Sequence, residues 1–252
     1  MHRPRLLICK GICLTIFLAL PAYTFAQANP AADPSPTGGA HFIKALVIDE
    51  RLSALRQEAD LHAPVLKRLR IGRTVYITSS KSAKSDFYRV AVTRRTRGWI
   101  HQQALALPGR NGEDGRVMQV IEEASDGVDR IALCQLFLQR FSHSRYGPRA
   151  LLLLAEEAEG AAASLTRHAQ RRLQTLAERK HGATIEDYYL NDPGLDRYSR
   201  LRVAFRFDAS QTRYAYDGKA YREILRRYPQ SAEAEIARRR LENLESHLAS
   251  EK

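Results

Sequence analysis

Cys134 is the one cysteine beyond residue 13, and it stands in the run Leu133-Cys134-Gln135-Leu136. A nucleophilic cysteine needs an exposed thiolate with a histidine partner. Cys134 instead falls on the helical stripe Ile131, Cys134, Leu138, Phe141, which points to a buried structural thiol. His41, His62, His101, His143, His168, His181 and His247 are scattered singly. None forms the His-x-x-x-His or His-Glu-x-x-His spacing that a zinc amidase requires. No Gly-x-Ser-x-Gly elbow and no phosphate-cradling glycine loop occurs. Glu156-Glu157 and Glu186-Asp187 are neighbouring carboxylates of the kind that decorate helix faces, not a glycosidase pair. The chain is therefore read as non-enzymatic, with no cofactor and no metal.

The residues that could bind are basic and aromatic. Arg94, Arg95 and Arg97 stand beside Trp99, the only tryptophan, and near Tyr88, with Lys81 and Lys84 on a neighbouring loop. Together they could form a basic rim for an anionic ligand; a solvated loop beside an edge-packed tryptophan is the plainer alternative. The charge split fits such a rim and is equally explained by solubility alone. Of a formal net charge of +12, residues 41–107 hold 13 Lys+Arg against 5 Asp+Glu, whereas residues 108–252 hold 24 against 22. A patch of one sign steers anionic partners to it.

Which anions these are depends on compartment. Met1-His2-Arg3-Pro4-Arg5 is followed by an apolar stretch ending at Leu20, then Pro21 and small residues. Basic start, short apolar core and small-residue exit are the features of a secretory signal, expected to occupy residues 1–26. Its uninterrupted apolar part, Ile12 to Leu20, is too short for the ~20 residues of a membrane span. The expected location is outside the cytoplasm, periplasmic or secreted, with no membrane span after cleavage. The expected partners are an envelope protein, an anionic cell-wall polymer, or both. Nucleic acid, of the same electrostatic class but another compartment, is not expected.

The elements that must position the rim follow from periodicity. Residues 27–40 are rich in proline, glycine and small residues and read as a flexible tether. Residues 41–107 carry short β-branched and aromatic runs at Ala45–Ile48, Val75–Thr78, Phe87–Val92 and Gly98–Ile100, separated by polar or glycine-bearing breaks. Residues 108–116 hold three glycines and a proline and read as a linker. From residue 117 to 252 the period becomes helical. Ala150–Glu159 and Thr166–Lys180 read as separate helical segments, and Thr184-Ile-Glu-Asp187 as a cap. In the last hairpin Tyr221, Ile224, Leu225 and Tyr228 answer Ala237, Leu241, Leu244 and Leu248 across a Pro229-Gln230-Ser231 turn, with Ser231 as N-cap. A weak repeat aligns Leu136–Ser144 with Glu223–Ser231, 87 residues apart. The expected fold is multidomain, all-β followed by all-α.

Two resemblances sharpen this. Ala45–Ile48, Leu52–Arg56, Val65-Leu-Lys-Arg-Leu-Arg-Ile-Gly72, Val75–Ile77, Phe87–Val90 and Gly98–His101 resemble, in order, the strands of the bacterial SH3-like domain. The family usually has tryptophan where Phe87 stands, and the glycine and proline that usually follow the Leu52–Arg56 step are absent. Tyr228-Pro-Gln-Ser231 followed by Ala232, Ala234 and Ala237 resembles the helix junction of TPR-like repeats of envelope proteins. The resemblances imply a small SH3-like β-barrel followed by TPR-like hairpins, in a non-catalytic binding or scaffold protein of the bacterial cell envelope. A divergent cell-wall hydrolase and a structural subunit of an envelope complex are the alternatives.

Overall fold

The computed structural model describes residues 42–79, 86–125, 127–175 and 184–249. The expected signal (1–26) and tether (27–40), and also Lys81, Lys84, His41 and His181, lie outside the described residues. Seven strands form one antiparallel sheet: β1 (Ile43–Val47), β2 (Ala54–Arg56), β3 (Val65–Arg68), β4 (Thr74–Ser79), β5 (Phe87–Ala91), β6 (Arg97–His101) and β7 (Leu105–Ala106). Their spatial order is β3-β2-β6-β5-β4-β1-β7. Alternation along the strands sends Ala45, Val47, Leu55, Val75, Ile77, Val90, Ile100 and Leu105 into one apolar core. β2 crosses β6 closely at Gly98, where an added Cβ would stand 2.6 Å from the Arg56 carbonyl oxygen and 2.8 Å from Leu55 Cγ. Only glycine fits there.

The second half is built on α1 (Glu113–Glu123), α2 (Gly127–Arg140), α3 (Gly147–Thr175), α4 (Ile185–Leu190), α5 (Leu195–Arg200), α6 (Lys219–Arg227) and α7 (Ala232–Ala249). It is not all-α. Between α5 and α6 runs a hairpin, β8 (Phe205–Asp208) and β9 (Arg213–Tyr216), with Phe205 opposite Tyr216 and Phe207 opposite Tyr214. The aromatics at 205, 207, 214 and 216 recur at a period of two, so all four lie on one face. That face meets Tyr189 (4.7 Å from Phe207 and 5.0 Å from Tyr214, between ring centroids), Tyr198 and Tyr221. The buried Asp208 carboxylate closes the loop: it accepts from Ser210 Oγ and the Gln211 N–H, and pairs with Arg213 at 3.2 Å.

Other expectations shift as well. The 108–116 linker already contains the first turn of α1. α3 runs unbroken through Gly160, because an isolated glycine costs only about 1 kcal/mol against alanine and its neighbours are strong helix formers. Thr184 and Asp187 do form a reciprocal capping box on α4. Ser231 precedes α7, but its Oγ is buried and makes no hydrogen bond among the described residues; its own carbonyl accepts from the Ala234 N–H.

The weak repeat has a structural counterpart in its turns. The Phe141, Ser144 and Gly147 N–H groups donate to the carbonyls of Phe137, Phe141 and Ser144. The Tyr228, Ser231 and Ala234 N–H groups donate to those of Ile224, Tyr228 and Ser231, the same pattern 87 residues on.

The sheet and the helices share buried surface. β1 alternates between them: Ala45 and Val47 face the sheet core, while Leu46 and Ile48 join Ala106, Val117, Ile121, Leu133 and Phe137 in a second core that extends through the helical half. Glu113 clasps the seam, accepting from the Leu107 N–H at 2.9 Å and pairing with Arg116, which also donates to the Leu105 carbonyl. Burial pushes the Glu113 carboxyl upward, but its hydrogen bonds from Arg116 and Leu107 outweigh that and hold it below the ordinary value of 4.5.

Two outcomes follow from this packing. Gly98→Ala should destabilise the protein by about 1–3 kcal/mol or more, read as a lowered denaturant midpoint; an unchanged midpoint would refute the close crossing. Glu113→Gln should lower Tm near neutral pH. Because the folded pKa is depressed, the clasp is fully present above 4.5 and fades as the pH falls through the folded value. The Tm gap between the two proteins should therefore narrow as the pH falls below 4.5, and a gap independent of pH would refute the clasp.

Candidate functional site

Cross-strand pairing builds a basic and aromatic face on the outside of the sheet. Trp99 on β6 lies directly opposite Arg56 on β2 on one side and Arg89 on β5 on the other. Opposed residues of an antiparallel pair share a face. The next row sets Arg97 opposite Ala91, Ala91 opposite Tyr76, and Tyr76 opposite Lys44. Beyond Trp99, His101 packs its ring edge against Phe87 at 5.4 Å. Arg89, Arg97 and Lys44 are exposed, and Trp99, Tyr76 and Arg56 are half-buried. No carboxylate occurs on β4, β5 or β6. Arg56 is held in place, its Nη1 donating to the Ala63 carbonyl at 2.7 Å.

Arg94 and Arg95 sit at the tip of the β5–β6 hairpin. Its backbone is pinned by the Val92 N–H on the Thr96 carbonyl and by Thr93 Oγ1, which accepts from the N–H groups of Arg95 and Thr96. The expected rim is thus only partly assembled. Arg97 and Trp99 lie on the outer face with Arg94 and Arg95 at its corner. Tyr88 lies on the opposite face, paired with the buried Ile100 and packed against the sheet core. Arg56, Arg89, Tyr76 and Lys44 join the face without having been foreseen. Arg89 was within reach of a hairpin register count from the Val92–Thr96 loop; Arg56 was not, because its pairing spans 43 residues.

The helical half holds a larger cleft of about 640 Å³ between α3, β9 and α7. Its charges are satisfied in place. Arg240 faces Glu159 at 3.7 Å, Arg213 pairs with Asp208, and Tyr221 donates to Glu159 at 2.6 Å. Burial raises the Tyr216 and Tyr221 hydroxyls well above the ordinary tyrosine value, so they stay protonated hydrogen-bonding groups. Tyr214 and Tyr216 line this cleft from β9.

Cys134 is fully buried on α2, and burial pushes its thiol up to about 12. Among the described residues, no group of three His, Cys, Asp or Glu side chains could hold a metal ion, and no helix is long and apolar enough to cross a membrane.

Comparison with family models, curated proteins and solved structures finds no match to this chain.

The state of Cys134 is checkable. An aromatic disulfide reagent should leave it intact in the folded protein at neutral pH and modify it fully in denaturant, at least ~100-fold faster. Rapid labelling of the folded protein would contradict the packing of α2 against α1 and α3.

Proposed function

We propose that the chain is an exported, non-catalytic binding protein of the bacterial cell envelope. In this reading the sheet is an SH3-like barrel that docks on an anionic cell-wall polymer, and the helical half, with TPR-like hairpins at α2–α3 and α6–α7, offers a surface to a partner protein. One observation carries the proposal: the Arg56–Trp99–Arg89 row and the Arg97–Tyr76–Lys44 row form a basic, aromatic outer face on strands that contribute no acid. Arginine guanidinium groups pair bidentately with carboxylates and phosphates. A flat aromatic between them suits the apolar face of a sugar ring. The helical core takes up the outer surface at Leu46 of β1 and Ala106 of β7.

Co-sedimentation with purified sacculi tests this. The protein should pellet at low salt and much less at high salt, because exposed charges are screened over about 10 Å at 0.1 M. Arg89→Gln with Arg97→Gln should abolish most of the pelleting, and Trp99→Ala should weaken it at every salt concentration. Pelleting that is unchanged in these variants, or absent at all salt concentrations, would refute the docking face.

A further inference from the structure

A second basic site lies at the seam between sheet and helices, away from the outer face. One stripe of α2, bearing Gln135, Gln139 and Arg140, forms its wall. The β3–β4 turn at Gly72 lines one side, and the end of α5 with the turn after it, Arg200 to Arg202, lines another. They line an open depression of about 230 Å³, with Gln139, Arg140, Arg200 and Arg202 exposed. Three arginines line it and no acid does. Among the described residues, none of the three forms an ion pair, in contrast to the compensated cleft between α3 and α7.

Arginine at a helix C-terminus also offsets the helix dipole, and Arg140 and Arg200 end α2 and α5. That accounts for only part of the charge. Each helix end carries about half a negative charge, so three guanidinium groups leave about two positive charges over. The wall is also fixed. Gln135 Nε2 donates to the Leu201 carbonyl at 3.2 Å, tying α2 to the turn that carries Arg202. Arg202 has φ of 55° because it ends α5 in a Schellman stop, its N–H donating to the Ser199 carbonyl and the Val203 N–H to the Tyr198 carbonyl.

We propose that this seam groove binds a compact phosphate dianion, the phosphoryl or diphosphoryl group of a small soluble molecule, between Arg140, Arg200 and Arg202. Planar guanidinium forks match phosphate oxygens bidentately, and the Gln139 amide supplies a neutral donor beside them. The depression has room for a phosphoryl or diphosphoryl group and is open to solvent, so a soluble ligand reaches it directly. A ligand here would touch both the sheet turn and α2. Its occupancy would stabilise the seam by mass action.

Calorimetric titration of the purified protein with inorganic pyrophosphate tests the site. One molecule per chain should bind, and Tm should rise with pyrophosphate concentration. Arg140→Gln with Arg202→Gly should weaken binding at least about tenfold. Arg89→Gln with Arg97→Gln, on the outer face, should leave it unchanged. Arg202→Gly removes a cation while suiting the left-handed backbone, so it folds even if the Arg140 change does not, and alone it should weaken binding several-fold. The proposal is overturned if pyrophosphate gives no saturable heat, or if binding survives intact in Arg202→Gly. Binding to phosphatidylglycerol vesicles that depends on these arginines, with no binding of free pyrophosphate, would overturn the soluble-ligand assignment.

Discussion

Ala45–Ile48, the carboxyl-terminal part of β1 and the residue after it, is buried on both faces, and the arrangement of the other elements follows from that. A strand on the surface of a small sheet can leave one side to water, with polar residues in alternation. β1 cannot, because Ala45-Leu46-Val47-Ile48 is apolar at every position. Ala45 and Val47 fill the sheet core, so Leu46 and Ile48 need another cover, and α1 and α2 supply it with Val117, Ile121, Leu133 and Phe137. Burying side chains of this size stabilises by about 1.5–3 kcal/mol each. The Glu113–Arg116 clasp then aims the chain out of β7 and into α1 at the angle this packing requires.

That cover also decides where the remaining chemistry can sit. The helices occupy the outer face at Leu46, Ile48 and Ala106, so the exposed charge lies on β2, β6, β5 and β4 and at Lys44 near the start of β1. Helical surfaces elsewhere are balanced by local pairs, such as Arg226 with Glu223 and Arg238 with Glu235. Exposed pairs of that kind contribute little to stability. Their effect is to keep the helical half nearly neutral while the sheet remains basic. Arg130 is different. It reaches from α2 to the last carbonyls of α1 at Ile121 and Ala124 and to Glu157 on α3, so one guanidinium joins three helices.

Much of this was legible from pattern alone. The runs at 45–48, 75–78, 87–92 and 98–100 become β1, β4, β5 and β6, because alternation and β-branching are local signals. The α6–α7 hairpin and the burial of Cys134 follow from a 3.6-residue period in the same way. The β8–β9 hairpin was missed because Asp208, Ser210 and Gln211 form a loop with no glycine or proline. The polar turn closes through one buried carboxylate, which composition does not reveal. The role of Leu46 and Ile48 was hidden because a short apolar run does not say what covers its second face. The candidate face was half visible: Trp99 and Arg97 are close in sequence, but Arg56 meets Trp99 only through strand pairing. Tyr88 was assigned to it by proximity, whereas β alternation turns it to the other side.

The strand order has a kinetic consequence. β1 is the first described strand in the chain, yet in the sheet it lies between β4 and β7, and its Leu46–Val47 edge pairs with Leu105–Ala106. A chain that emerges amino-terminus first must therefore hold its most apolar strand unpaired along that edge until about sixty residues more have appeared. Its outer face stays uncovered until α1 and α2 follow. Non-local closure of this kind slows folding and leaves a sticky edge exposed in the interval. For this polypeptide, the hazardous moment of biogenesis comes before the helices are made, when a holding chaperone on β1 would matter most.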